Sequence, residues 1–392
     1  MLLAGKNQNK EDVVEILTNY VNLQSYNVKF SQNENPMNCQ CLRSLSQWSG
    51  GLKKTEHSIL NAYYYLIEKS EHYIYIENQF FISKSFTDDE LKSHNTNVSN
   101  LIVNEIALKI CDRILRAHDE GKKFRVIIFI PLLPGFPGEI HNSSTLQIIL
   151  KYTYKTISRN KGLSLIEKLK NLLDMSDPDL FKKYIGFYSL RNHALVNNIP
   201  VTEIIYIHSK LIIVDDKYVL MGSANINDRS MVGDRDSEFA IIFKDEEVAQ
   251  NFNSTMDGYD FKCSNFAKSL RVNLWKEHLG IEDNDVKNID LLNDPLTDEV
   301  WEFIKKRAKI NTDIYRELFK CYPDDNYKFF KNIPKKEKQT EKNLKILRDK
   351  YEKLKGNIKG HIVEFPLEFL ANEILERSFF SAEMLVPIKN FV

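Results

Sequence analysis

From Tyr73 to Phe243 the chain alternates short runs of β-branched and aromatic residues with stretches of helical periodicity, and few architectures accommodate that alternation. Strands are expected at Tyr73–Glu77, Phe124–Ile130, Ile185–Ser189, Glu203–Ile207, Leu211–Val214, Tyr218–Met221 and Glu238–Phe243. Helices are expected at Val98–Ala117, Thr145–Ile157 and Ser164–Leu173. That order predicts a layered α/β domain with a mixed sheet between helices.

At 392 residues the chain has room for two or three ordinary domains, or for one large core with an appended region. Hydrophobic residues at 43% and charged residues at 28% lie near globular averages, which excludes wholesale disorder and a fibrous repeat. The 54 basic and 54 acidic residues balance, so no global field drives the chain onto nucleic acid or an anionic membrane. Attraction to phosphate must be local. Cys39, Cys41, Cys111, Cys263 and Cys321 are odd in number and lack a disulfide or zinc spacing, which favours a reducing compartment.

No secretory leader is expected, and the sequons at Asn97, Asn142 and Asn253 are read as chance. The longest apolar run, Val126 to Phe136, is too short to span a bilayer and is broken by Pro131 and Pro134. A membrane would be touched from outside. Residues 1–40, with a short helical stretch near Val13–Tyr20, are expected to be a connector or the remnant of an upstream half. Residues 41–260 form the main unit, and 261–392 a mainly helical region that completes it. Within the latter, the lysine- and glutamate-laced stretch Lys335–Lys355 reads as a solvated helix or charged linker. The apolar Ile362–Val392 should pack back on the core.

The chemistry lies in Ile207-His208-Ser209-Lys210-Leu211-Ile212-Ile213-Val214-Asp215 and the following Gly222-Ser223-Ala224-Asn225-Ile226-Asn227-Asp228-Arg229-Ser230. On a strand, His208 and Lys210 project on the same side, about 7 Å apart. An imidazole titrates near neutral pH and serves as nucleophile or proton donor; an ammonium beside it binds a phosphate oxygen as a point charge. Together they form half of a phosphoryl-transfer site. Asn225 follows the small pair Gly222-Ser223, where backbone approaches a ligand closely and an amide donates to an equatorial oxygen. Asp215 is an odd number of residues from His208, so it is expected to brace the Asp215-Asp216-Lys217 turn and not to orient the imidazole. The orienting carboxylate must come from elsewhere. Glu238 is the candidate, for His208 or for the histidine of a partner half. Arg229 is expected to pair with a carboxylate ahead of assisting phosphate binding.

These segments, with Tyr73-Ile74-Tyr75-Ile76-Glu77-Asn78-Gln79-Phe80-Phe81-Ile82-Ser83, Ile130-Pro131-Leu132-Leu133-Pro134-Gly135-Phe136, Leu42-Arg43-Ser44 and Trp48-Ser49, resemble the eukaryotic phospholipase D family. The likeness runs from about Cys41 to the C-terminus and includes Val386-Pro387-Ile388. It implies a phospholipase D-like layered mixed sheet flanked by helices, with 41–260 as a catalytic half carrying the second His-Lys-Asp motif at 208–215. It also implies hydrolysis of phosphatidylcholine to phosphatidate and choline. A histidine from one motif attacks phosphorus, and that of the other protonates the leaving alcohol and then activates water. By position His208 would be the acid/base partner, with Lys210 and Asn225 gripping the phosphate and Glu77, Asn78 and Gln79 at the site. No metal takes part in bond breaking, and phosphoinositide activation is allowed by the resemblance without being written in the residues.

Of the nine histidines only His208 has a lysine two residues on, and one imidazole cannot fill both roles in one transition state. Three readings follow. The chain is a piece of a longer gene product, the favoured one; it pairs with another half or with itself about a two-fold axis; or it is a binding or regulatory remnant that holds phospholipid headgroups. A nuclease would use the same motif, but the neutral charge argues against a nucleic-acid partner. The expected partners are a phospholipid surface and a second His-Lys-Asp half, with the protein peripheral on intracellular membranes at their cytoplasmic side. Phe136 between two prolines is a candidate membrane contact, and the aromatics of Tyr73–Phe81 read first as core.

Overall fold

The run Tyr73–Asn78 is buried at all six positions, as happens to a strand when both faces of its sheet are covered. The structure is a computed structural model and describes residues 37–93, 101–245, 252–334 and 340–375. Its strands are β1 (Met37–Leu45), β2 (Glu56–His57), β3 (Tyr73–Asn78), β4 (Arg125–Phe129), β5 (Ile185–Val196), β6 (Ile199–Ile205), β7 (Lys210–Val214), β8 (Tyr218–Gly222), β9 (Glu238–Asp245), β10 (Phe252–Met256), β11 (Tyr259–Cys263) and β12 (Ile362–Glu364). Ten of them form one sheet in the order β12-β5-β4-β3-β7-β8-β9-β1-β2, with β6 paired to β5; β10 and β11 make a separate hairpin. The β3–β4 and β4–β5 pairings are parallel and the others antiparallel.

Alternation along β3 splits the core in two. Ile74 and Ile76 face a layer built from the helices Ser58–Lys69, Ile106–Asp119, Ser144–Ile157 and Leu165–Leu172. Tyr73 and Tyr75 face the helices Asn265–Leu279 and Asp298–Phe319 through Trp275, Leu279, Val300, Trp301 and Ile304. Each such side chain contributes about 1.5–3 kcal/mol by leaving water. The expected layered α/β architecture is the one observed, and the region after Cys263 closes one face of the sheet.

The β7–β8 turn ties the two layers together. Asp215 and Asp216 have φ of 53° and 51°, a region that aspartate tolerates better than most residues. The Asp215 carboxylate accepts from the backbone N–H groups of Glu71, His72 and Tyr73 at 2.7, 2.8 and 2.8 Å, which fixes the start of β3. Asp216 takes two hydrogen bonds from the Arg271 guanidinium, both at 2.8 Å, and one from the Tyr73 hydroxyl at 2.6 Å. The Asp216–Arg271 pair is wholly buried.

Several expectations are revised. Residues 37–45 form β1, paired to β9 from Met37 to Ser44, so the stretch expected as a connector to residue 40 enters the sheet. It lies near the sheet's edge, where polar residues such as Gln40 are tolerated, and its composition disguised it. The helix expected from Val98 begins only at Ile106, because the Asp228 carboxylate holds the N–H groups of Val103 and Asn104 in an extended approach. Strand β5 runs on to Val196 and returns as β6 through Asn197 and Asn198, with φ of 50° and 61°, a turn pair that aligns with strand twist. Strand β7 starts at Lys210, so His208 precedes the strand on which it was placed.

The helix Glu341–Leu354 is solvated, with Tyr351 its one buried side chain. Phe365, Phe369, Leu370 and Leu375 join the core, while Val386-Pro387-Ile388, Asn97 and the stretch Val13–Tyr20 lie outside the described residues. Among the described residues no helix is long and apolar enough to cross a membrane. Removing the acidic partner of the buried ion pair strands the guanidinium of Arg271. Asp216→Ala should therefore lower unfolding free energy by about 3–5 kcal/mol, measured by urea denaturation of the full chain.

Candidate functional site

Strands β3 and β4 end, and β7 begins, at one edge of the sheet, where β5 runs on to pair with β6; such an edge is where an α/β sheet offers a crevice to a ligand. Gly222 at the end of β8 and Glu238 at the start of β9 reach the same edge. All the motif residues except Asp215 gather there. Asp215 is at the opposite end of β7, consistent with its task in the turn.

His208 and Ser209 lie just outside the ladder, which Lys210 opens. Residues 206–209 belong to no strand, so side chains hold their place. Lys210 Nζ donates to the His208 carbonyl and to Gln79 Oε1, each at 2.7 Å. Gln79 Nε2 donates to the Tyr206 hydroxyl at 2.9 Å, and that hydroxyl also accepts from Gly135 N–H at 3.1 Å. Ser209 donates to Glu77 Oε2 at 2.7 Å. The His208 imidazole is exposed and stands 6.2 Å from the Tyr206 ring, between centroids.

Asn78 organises the other loop. Wholly buried, it accepts from the N–H groups of Phe80 and Ile226, both at 3.1 Å, and its amide faces the Ala224 carbonyl at 3.5 Å. Asn225 is thus gripped from both sides, and its Oδ1 is buried with no hydrogen-bond partner among the described residues. Gly222 permits the close crossing of β8 and β9: a Cβ there would meet the Phe239 carbonyl at 2.3 Å. Ser223 N–H donates to that carbonyl at 2.9 Å.

Among the described residues Glu238 makes no hydrogen bond to His208. Its oxygens accept from the hydroxyls of Ser223 and of Ser230, the latter at 2.7 Å. Arg229 meets Asp236 through two parallel hydrogen bonds of 3.0 Å and so braces the loop that leads to Glu238.

Desolvation pulls the Lys210 ammonium down to about 8, with the Glu238 charge opposing the shift. Glu77 is buried, which raises a carboxyl, yet it titrates below its ordinary value because His278, Tyr75 and Ser209 all donate to it. His278, Tyr206 and Ser209 are the members that motif reasoning passed over. His278 is 201 residues from Glu77 and carries no local signal of a role. Among the described residues no group of three or more His, Cys, Asp or Glu side chains converges as metal ligands would.

The edge therefore brings a cation, an amide and an exposed imidazole to one end of the sheet, a set suited to gripping a tetrahedral anion and moving a proton at it. Residues 5–199 and 192–320 match the family profile described as phospholipase D, and the match begins within the stretch expected to be a connector. Similar relatives include Arabidopsis thaliana phospholipase D zeta 1, 40% identical over 88% of this chain and 32% of its own length. Homo sapiens phospholipase D1 is likewise 40% identical, over 90% of this chain and 31% of its own length. The chain spans about a third of the curated relatives it matches. Among solved structures, phosphatidylserine synthase of Haemophilus influenzae covers 79% of the chain and 55% of its own, at 13% identity and a TM-score of 0.34.

With Lys210 half-protonated near pH 8, sulfate, whose own charge is constant in this range, should bind more weakly as pH rises. Its affinity should fall about tenfold from pH 7 to 9, by calorimetric titration, and Lys210→Met should bind weakly with a flat profile.

Proposed function

The chain belongs to the phospholipase D family, and on that premise we propose that it supplies one half of a site hydrolysing phosphatidylcholine to phosphatidate and choline. The observation that carries the reading is that the exposed His208 imidazole, the Lys210 ammonium and the Asn225 loop, held by Asn78, all lie at one sheet edge.

In this reading a histidine of the second half attacks phosphorus, forming an N–P bond while the P–O bond to choline breaks and His208 protonates the departing oxygen. Water then attacks phosphorus, gives its proton to His208, and the N–P bond breaks to release phosphatidate. Lys210 and Asn225 hold the equatorial oxygens as their charge grows. Glu238, turned away from His208, serves the attacking histidine of the other half.

The second half belongs to the same longer polypeptide or to another chain. The helical region 261–392 completes the catalytic unit, since Arg271 and His278 anchor both ends of the β3–β7 pair. The substrate lies in a bilayer, so the chain works on that surface from outside. Phe136, exposed and edge-on to Phe80, is its candidate contact. The aromatics Tyr73, Tyr75 and Phe81 are core and take no part.

The test is complementation. The chain is produced with an Arabidopsis relative deleted over the segment it matches, and assayed on phosphatidylcholine vesicles containing 1-butanol. Phosphatidylbutanol should form only with both parts, and His208→Ala should cut the rate about 10²–10⁴-fold. No product from the wild-type pair, or undiminished product with His208→Ala, would overturn the reading.

A further inference from the structure

We propose that Glu77 and His278 form a buried positioning pair that sets the aim of His208 and Lys210 through the hydroxyl of Ser209. This rests on the reading that His208 and Lys210 act on a phosphate.

Position along the chain carries the argument. Leu211 and Ile213 pack in the same core layer as Tyr73 and Tyr75, and Ile212 in the opposite one. Alternation puts Ser209 on the Tyr75 side, whereas His208 and Lys210 share the other face. The segment has lost its ladder, so the face opposite the chemistry needs a separate anchor. Ser209 Oγ to Glu77 Oε2 at 2.7 Å is that anchor. On the other face the Lys210 ammonium holds the His208 carbonyl, and phosphate competes for that same ammonium. A fixed point beneath the strand keeps both side chains aimed when Lys210 turns to its ligand.

Glu77 is itself held. His278 Nε2 meets Oε1 at 2.8 Å, the Tyr75 hydroxyl donates to the same oxygen, and Glu77 pairs with Leu211 in the sheet. His278 ends the helix Asn265–Leu279, stacks at 4.8 Å on Phe129 and accepts at its carbonyl from His361 N–H at 2.9 Å. Next to it, Gly280 and Gly360 cross so closely that a Cβ on Gly360 would sit 2.3 Å from the Gly280 nitrogen. Backbone contact of that kind fixes the end of the helix from which His278 projects. The buried carboxylates Asp215 and Asp216 serve the far end of the sheet and touch nothing near His208. Among the described residues it is Glu77 that turns its charge to the residue between the histidine and the lysine.

The experiment uses the full chain with isotope-labelled histidine and follows the His208 ring resonances, alongside thermal melting. Ser209→Ala should shift or broaden the His208 signals at unchanged melting temperature, and Ser209→Thr should restore them. Glu77→Gln and His278→Gln should produce the Ser209→Ala spectrum, whereas Tyr75→Phe, which spares the bonds to Ser209 and His278, should leave His208 near wild type. In the complemented enzyme Ser209→Ala should lower kcat about 10- to 100-fold with KM within about twofold. If His208 signals stay at wild type in Ser209→Ala and Glu77→Gln, the pair is structural only and the proposal fails. A complemented enzyme without turnover would refute the phosphodiesterase reading, and the resonance comparison would still decide the positioning role.

Discussion

Strands β3 and β7 are held against each other at both ends by buried carboxylates, and the rest of the site depends on that clamp. At one end Asp215 gathers three backbone N–H groups of the incoming β3 and Asp216 binds Arg271; at the other Glu77 receives Ser209 and His278. Burying three acids in a protein interior is unfavourable unless each is fully hydrogen-bonded. Here each has three donors. Such groups contribute less to net stability than apolar replacements would, but they admit one register, because a one-residue slip of β7 would part Asp215 and Asp216 from their donors and take Ser209 from Glu77. Register is what the chemistry requires, since it decides whether His208 and Lys210 or Ser209 face the ligand.

The consecutive residues Glu77, Asn78 and Gln79 divide that task among themselves. Glu77 anchors the His-Ser-Lys segment from one face, Asn78 grips the loop around Asn225 from the other, and Gln79 bridges Lys210 to Tyr206 and so to the loop at Gly135. Three loops that approach the sheet edge from distant parts of the chain are thereby referred to one strand end. A strand buried on both faces is the most rigid element such a fold offers, which is why it suits a reference point.

Much of this was legible in the sequence where the signal is local. The alternation of strands and helices, the spacing from His208 through Asn225, and the odd interval that removes Asp215 from the imidazole all follow from side-chain periodicity. What escaped was set by partners far away. Strand β1 has a polar, Asn-rich lead-in and becomes a strand only because β9 is there to pair with it. His208 leaves the ladder although its neighbours have strand propensity, because Ser209 and Tyr206 find side-chain partners instead. His278 sits in a helix whose sequence is only weakly amphipathic, and its link to Glu77 exists only once the helix is laid across the sheet. Arg229 shows the converse: its bidentate partner, Asp236, is seven residues on and within the reach of local reasoning.

The placement of His208 outside the ladder also has a thermodynamic sense. On the proposed mechanism the imidazole accepts and returns a proton while phosphorus passes from a diester to a covalent adduct, and a backbone locked by strand hydrogen bonds adjusts poorly to such changes. Side-chain anchors give way in small steps, each worth about 0.5–1.5 kcal/mol when neutral and more when charged. The Lys210 ammonium is lowered to about 8 by desolvation, so it is mostly protonated at neutral pH and an arriving phosphate meets a cation already formed. When the lysine turns to the anion, its bond to the His208 carbonyl draws the histidine's backbone with it. The Glu77 carboxylate, ionised beneath the strand and hydrogen-bonded to Ser209, keeps that motion small.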